Sequence, residues 1–243
     1  MNSRPESAQN NKNAEKTLQT EAQIKANEKL KLPENKKPSV LDRNTIWNEI
    51  RPYDYVDDDV DKSYVVKTTQ TLRLEFRQIL KIDNLQELTS ITRLFLDNNF
   101  LEQINGLETL VNLIWLDLSF NKISKIEGLE KLTNLQVLAL YKNEITKLEN
   151  LEHLEVLSVL RIGNNKLSSR EDILYLRRLK SLRTLSIKGN PFCLTDEWKN
   201  FTVALLPRLA YLEISSISAE ERERGKNNLR RDRCPKNIDL VVT

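Results

Sequence analysis

The sequence predicts an α/β solenoid, with short parallel strands on a concave face, helical or 3₁₀ segments on a convex face, and a cap at the C-terminal end. Three observations carry this. Asn99, Asn121, Asn143 and Asn165 recur every 22 residues, and Asn190 follows after 25. The apolar positions move with them. Leu116, Leu118, Ile123, Ile126, Leu129, Leu132 and Leu135 reappear 22 residues earlier as Leu94, Leu96, Leu101, Ile104, Leu107, Leu110 and Leu113, and again as Leu72, Leu74, Ile79, Ile82, Leu85, Leu88 and Ile91. After Asn190 the period stops and one amphipathic stretch follows. A fixed period of this kind marks a repeat architecture, because one unit cannot bury its apolar face alone and must stack on its neighbours.

In chain order, residues 1–44 are rich in Asn, Lys, Glu and Gln and poor in large apolar groups, so they are expected to be a disordered tail. Residues 45–70 bring Trp47, Tyr53, Tyr55 and Tyr64 beside the acidic run Asp54, Asp57, Asp58, Asp59 and Asp61. They are expected to cap the first repeat, with the aromatics folded onto the solenoid end and the acidic loop solvated, the alternative being a calcium or partner site. Residues 71–191 hold five to six repeats. The first is degenerate, with Arg77 where Asn is expected, as suits a unit with a neighbour on one side only. Residues 192–217 form the C-terminal cap, in which Thr195 to Leu206 reads as a helix with Trp198, Phe201, Leu205 and Leu206 near one face, ended by Pro207. Residues 218–243 form a charged tail, helical at first and then disordered.

Each unit reads as a strand, a tight turn and a short helical segment. The asparagine column (Asn99, Asn121, Asn143, Asn165 and Asn190) is structural: the side chain can bond backbone groups left unpaired at the turn, where an unsatisfied buried amide costs about 1–3 kcal/mol. Function is therefore sought where the repeat varies. Residues alternating with the strand leucines point away from the core and form three concave columns. The first runs Thr71, Arg93, Trp115, Val137, Val159, Thr184; the second Arg73, Phe95, Asp117, Ala139, Arg161, Ser186; the third Glu75, Asp97, Ser119, Tyr141, Gly163, Lys188. Phe95, Trp115 and Tyr141, ringed by Arg93, Arg161, Asp97 and Asp117, have the composition of a protein-binding hot spot. The plainer alternative is that these rings merely cover neighbouring strands.

Catalysis is not expected. General acid–base or nucleophilic chemistry needs a positioned His, Cys or carboxylate pair, and the single histidine, His153, is expected on the outer surface, solvated. Five glycines form no phosphate-cradling loop, and no Cys and His set has zinc spacing. No cofactor, metal or small-molecule substrate is therefore expected. A net charge of +3 is too small to predict direct nucleic-acid contact. No run approaches the roughly 18 apolar residues of a membrane span, the N-terminus has no apolar leader, and Cys193 and Cys234 form no disulfide framework. A cytoplasmic or cytoskeletal location is expected.

The period and the closing Leu-Pro-Arg-Leu of residues 206–209 resemble the phosphatase-regulator-like subclass of leucine-rich repeats. More specific are the segments LRLEFRQILKIDNL (72–85), LIWLDLSFNKISKIEGLE (113–130) and ILYLRRLKSLRTLSIKGNP (173–191), the last carrying the three-residue expansion. Together they are similar to the leucine-rich-repeat subunit family of the nexin-dynein regulatory complex, dynein regulatory complex subunit 3, over roughly residues 66–215. That resemblance implies a structural subunit of the axoneme in motile cilia and flagella, with other regulatory-complex subunits or axonemal proteins as partners. The coiled-coil region that follows the repeats in that family is not expected here. Two other readings stand beside it: a soluble regulator gripping a phosphatase or other enzyme through the concave face, and a scaffold of an RNA–protein complex.

Overall fold

The computed structural model describes residues 39–51, 61–195 and 197–231, all within the unit Pro38–Thr243. The chain enters through β1 (Ser39–Val40), α1 (Arg43–Ile50) and α2 (Lys62–Thr68). Asp42 caps α1 by accepting from the Thr45 amide, and Asp61 caps α2 by accepting from the Ser63 amide. The repeats contribute β2 (Thr71–Arg73), β3 (Ile79–Lys81), β4 (Arg93–Phe95), β5 (Trp115–Asp117), β6 (Val137–Ala139) and β7 (Val159–Arg161). They continue through α3 (Arg170–Tyr175), a 3₁₀ turn and β8 (Thr184–Ser186). The cap comprises a 3₁₀ turn (Pro191–Leu194), α4 (Trp198–Leu205), β9 (Tyr211–Leu212) and β10 (Ser215–Ser216), and α5 (Ala219–Arg231) follows.

One sheet of order β10-β9-β8-β7-β6-β5-β4-β2 runs the length of the solenoid, parallel except for the closing β9–β10 hairpin. Its register is the sequence repeat made physical: Leu72, Leu94, Leu116, Leu138, Leu160, Leu185 and Leu212 stand side by side, and all are buried. On the convex side the helical half of each early unit is realised as two 3₁₀-type turns. In the third unit, for example, the Leu132 amide bonds to Leu129 O (2.9 Å) and the Leu135 amide to Leu132 O (3.0 Å). Only the unit with the three-residue expansion has room for a helix, α3, capped by the Ser169 hydroxyl accepting from the Glu171 amide.

Three boundaries differ from expectation. Within the segment expected to be a disordered tail, Ser39–Val40 form β1, which pairs in parallel with β3, and Leu41 is buried, its carbonyl accepting from Asn84 Nδ2 at 2.8 Å. The remainder of the expected tail, together with Tyr53, Tyr55, Asp54, Asp57, Asp58 and Asp59, lies outside the described residues. Tyr64 does not fold onto the solenoid end; it is exposed, because α2 buries no residue. The C-terminal charged segment does not simply extend away. Its helix α5 lies against α4, with buried Gly225 so close that a Cβ there would stand 2.8 Å from Asn200 O, and Arg222 donates to Pro207 O and Leu209 O.

Candidate functional site

The asparagines fix the frame on which the concave face is built. Asn121 Oδ1 accepts from the Leu101 amide at 3.0 Å, while Nδ2 donates to Leu96 O, Leu118 O and Ser119 O. Asn99, Asn143, Asn165 and Asn190 repeat the arrangement, each joining its own turn to the preceding unit. This explains Arg77: the first unit has no predecessor for an amide to bridge. The Arg77 guanidinium instead pairs with Glu49 on α1, tying the entry helix to the solenoid.

The residue before each asparagine column position turns into the left-handed region: φ is 58° at Phe76, 57° at Asn98, 55° at Phe120, 55° at Lys142, 52° at Asn164 and 86° at Gly189. Sequence reasoning missed this column, because bulky Phe76 and Phe120 are residue types that rarely adopt positive φ. The turn places the Phe120 ring 5.5 Å from Tyr141. Lys142 Nζ lies 5.3 Å from the centre of that ring.

The singled-out aromatics therefore form two pairs rather than one cluster. Phe95 and Trp115 lie 6.2 Å apart, tilted by 38°. Arg73 stacks on Phe95 at 4.2 Å and Arg161 reaches across buried Ala139 to Trp115 at 5.9 Å. Tyr141 joins Phe120, and its ring lies against Gly163, where a Cβ would come within 3.2 Å of Cδ2. Its hydroxyl accepts from Asn164 Nδ2. Arg93 is exposed beside Trp115 in register. The Trp115 indole N–H is shielded and has no acceptor among the described residues.

Between the pairs lies a carboxylate group. Asp117 accepts from the Ser119 amide at 2.9 Å, Asp97 accepts from Asn98 Nδ2 at 2.6 Å, and Glu75 is paired with Arg73 at 2.9 Å. Burial, then the charges of Asp117 and Glu75, push the Asp97 carboxyl up to about 6, against the lowering bond from Asn98. A carboxyl that binds its proton more tightly in the folded state makes the fold less stable as pH rises from about 4 to about 6. Asp97→Asn is therefore expected to stabilise the protein above pH 6. The full shift would correspond to ~3 kcal/mol, and solvent screening at a half-buried group reduces the expected gain to about 1–2 kcal/mol. Denaturant melts should show that gain vanishing below about pH 4.

His153 corrects an expectation: it is half-buried, and its Nε2 lies 2.9 Å from Leu129 O, bridging adjacent units on the convex side. Beside it, Tyr175 of α3 accepts from the Leu151 amide at 2.7 Å and donates to Glu152. Burial and the Glu152 carboxylate push the phenol up to about 12. Asp172, also on α3, is buried and accepts from the Leu148 amide at 2.8 Å. These groups fasten the expanded unit to its neighbour. Cys193 is a free thiol, pushed up to about 11 chiefly by burial. Among the described residues no His, Cys, Asp and Glu cluster is placed to hold a metal ion, and no helix is long and apolar enough to cross a membrane.

A leucine-rich-repeat family model matches residues 113–240, more than half of the chain, and the chain belongs to that family. It is accordingly of a class of protein-interaction scaffold modules that are typically non-catalytic. No curated protein matches it in sequence. Among solved structures it is similar to the Drosophila melanogaster SNF/U2A′ complex, with 23% identity over 66% of this chain and 81% of that one and a TM-score of 0.49. It is also similar to the functional domain of InlJ from Listeria monocytogenes, with 17% identity over 68% and 35% and a TM-score of 0.49. An internalin, InlF, of the same bacterium gives 23% identity over 65% and 52%, again with a TM-score of 0.49. The chain thus spans about a third of the InlJ domain and about half of InlF.

Proposed function

We propose that the chain is a scaffold subunit that holds a partner protein on its concave face through Phe95, Trp115 and Tyr141, flanked by Arg93, Arg161, Asp97 and Asp117. The observation that carries this reading is the Trp115 platform. Its ring lies tilted beside Phe95 with the Arg161 guanidinium near its face, and the floor beside it is kept low by Ala139, Ser119 and Gly163. Aromatic and arginine anchors above a small-residue floor supply the desolvated contacts that dominate protein interfaces. The resemblance of residues 72–85, 113–130 and 173–191 to the nexin-dynein regulatory complex subunit supports an axonemal setting, with other subunits of that complex as partners and a role in dynein-driven motility.

The test is retention. Tagged protein expressed in a flagellated cell is expected to stay with detergent-extracted axonemes and to leave only in high salt. Trp115→Ala with Tyr141→Ala is expected to weaken retention at least tenfold while the melting curve shows the chain still folded. Full release of the unaltered protein with the soluble fraction would overturn the axonemal setting. Retention of the double variant at the level of the parent would overturn the concave face as the docking surface.

A further inference from the structure

At the C-terminal end, between the last expanded repeat and the cap, there is a cavity of about 340 Å³. Its apolar lining comes from Leu176, Leu179, Leu182, Leu205, Leu206, Pro207 and Leu209, and its only polar side chains are Arg177, Lys180 and Arg208. All three cations are exposed. Two further arginines stand at the same junction. Arg183 donates to Lys180 O at 3.2 Å, the carbonyl that Arg208 also approaches at 3.4 Å, and Arg222 donates to Pro207 O at 3.0 Å. Among the described residues none of these five cations makes an ion pair with a carboxylate. Three lysines elsewhere do pair with glutamates: Lys125–Glu127, Lys147–Glu149 and Lys166–Glu144. The junction is thus a concentration of one sign of charge around a leucine-lined hollow, in a protein whose net charge is only +3.

We propose that this cavity is a second docking site, independent of the concave face, which takes an acidic segment of a partner protein, with carboxylates on Arg177, Lys180 and Arg208 and an apolar side chain in the leucine-lined hollow. Guanidinium groups match carboxylates in geometry as well as charge. Arg183 and Arg208 both reach the Lys180 carbonyl, which brings two guanidinium groups to one edge of the cavity. The leucine lining favours a polypeptide over a nucleic acid: no aromatic ring lines the cavity for a base to stack on.

The test uses the full chain and a short fluorescein-labelled peptide of glutamates interspersed with leucines, with the same peptide carrying glutamine for glutamate as control. Fluorescence anisotropy is expected to show saturable binding of the glutamate peptide only, weakening at least tenfold in Arg177→Glu/Arg208→Glu. It is also expected to weaken steeply as salt rises from about 0.05 to about 0.3 M. The milder Arg177→Gln/Lys180→Gln variant, checked by circular dichroism, is expected to weaken binding in the same direction and guards against a folding defect. Equal binding by either variant, or by the glutamine peptide, would overturn the site. So would tighter capture of a single-stranded oligonucleotide or of phosphatidylserine vesicles through the same cations, which would assign the cavity to phosphate-bearing ligands. The Trp115→Ala/Tyr141→Ala protein is expected to bind the peptide unchanged. If it does not, the peptide sits on the concave face, and this inference fails while the concave docking surface stands.

Discussion

Asn121→Ala is expected to lower the free energy of unfolding by about 2–4 kcal/mol, as read from urea melts with an unchanged slope. The alanine leaves the Leu101 amide inside the stack without an acceptor, and it removes one donor each from Leu96 O, Leu118 O and Ser119 O, which keep the bonds from Asn99 Nδ2, Asn143 Nδ2 and the Asn98 amide. Each buried backbone group left unmet costs about 1–3 kcal/mol. The requirement is stringent because the position needs one acceptor and two donors on a short stem. Aspartate keeps the acceptor but loses every donor and buries a charge, so Asn121→Asp should be no better than alanine. A loss below about 1 kcal/mol, the size of an ordinary surface change, would show that the bridge between units is not what holds them.

Gly128→Ala is expected to cost about 2–4 kcal/mol, and Gly128→Asn distinctly less. Gly128 has φ of 68°, and a Cβ there would stand 2.3 Å from Ile104 O. The repeat supplies its own control, for Asn150 occupies the equivalent place one unit later at φ 58° and donates from Nδ2 to Ile126 O at 2.7 Å. Asparagine tolerates the left-handed conformation and turns the crowding carbonyl into a hydrogen-bond partner; alanine can do neither. Thermal melts of the two variants side by side decide it, and equal destabilisation would mean that the clash of Cβ with Ile104 O, which both side chains share, sets the cost.

Much of this architecture was legible because a repeat is redundant. Leu116 is hard to assign on its own, but with Leu94 and Leu138 at the same phase it defines a strand register, and the observed pairing follows that phase. The concave columns followed from alternation alone, which is why Arg73 and Glu75 stood in them although neither was singled out. Contacts without periodicity were not legible. Ser39–Leu41 is too short and too weakly apolar to announce a strand, yet its pairing with β3 needs only two residues and one buried leucine. Phe120 was overlooked because its importance comes from a backbone turn its residue type disfavours. The fold-back of α5 depends on Gly225, whose lack of a side chain reads in sequence as a weak helix position and in structure as the point of closest approach. His153 looked outward by the repeat's own logic, and only the neighbouring carbonyl at Leu129 draws it in.

The two ends of the stack have a consequence for how many units it contains. In the interior every unit offers its successor the same unfilled bonds, so nothing within the repeat dictates where the series should stop. At the last strand the Glu213 carboxylate turns back to accept from the Ile187 and Lys188 amides, each at 2.8 Å, and from the Ser186 hydroxyl. At the first unit Arg77, in place of asparagine, reaches Glu49. At the C-terminal end the Glu213 carboxylate takes the Ile187 amide, whose counterpart one unit earlier, Ile162, bonds the strand carbonyl of Ser186, and at the N-terminal end Arg77 stands where an asparagine would bridge to an earlier unit. The repeating bond pattern is thereby closed by one acidic and one basic side chain.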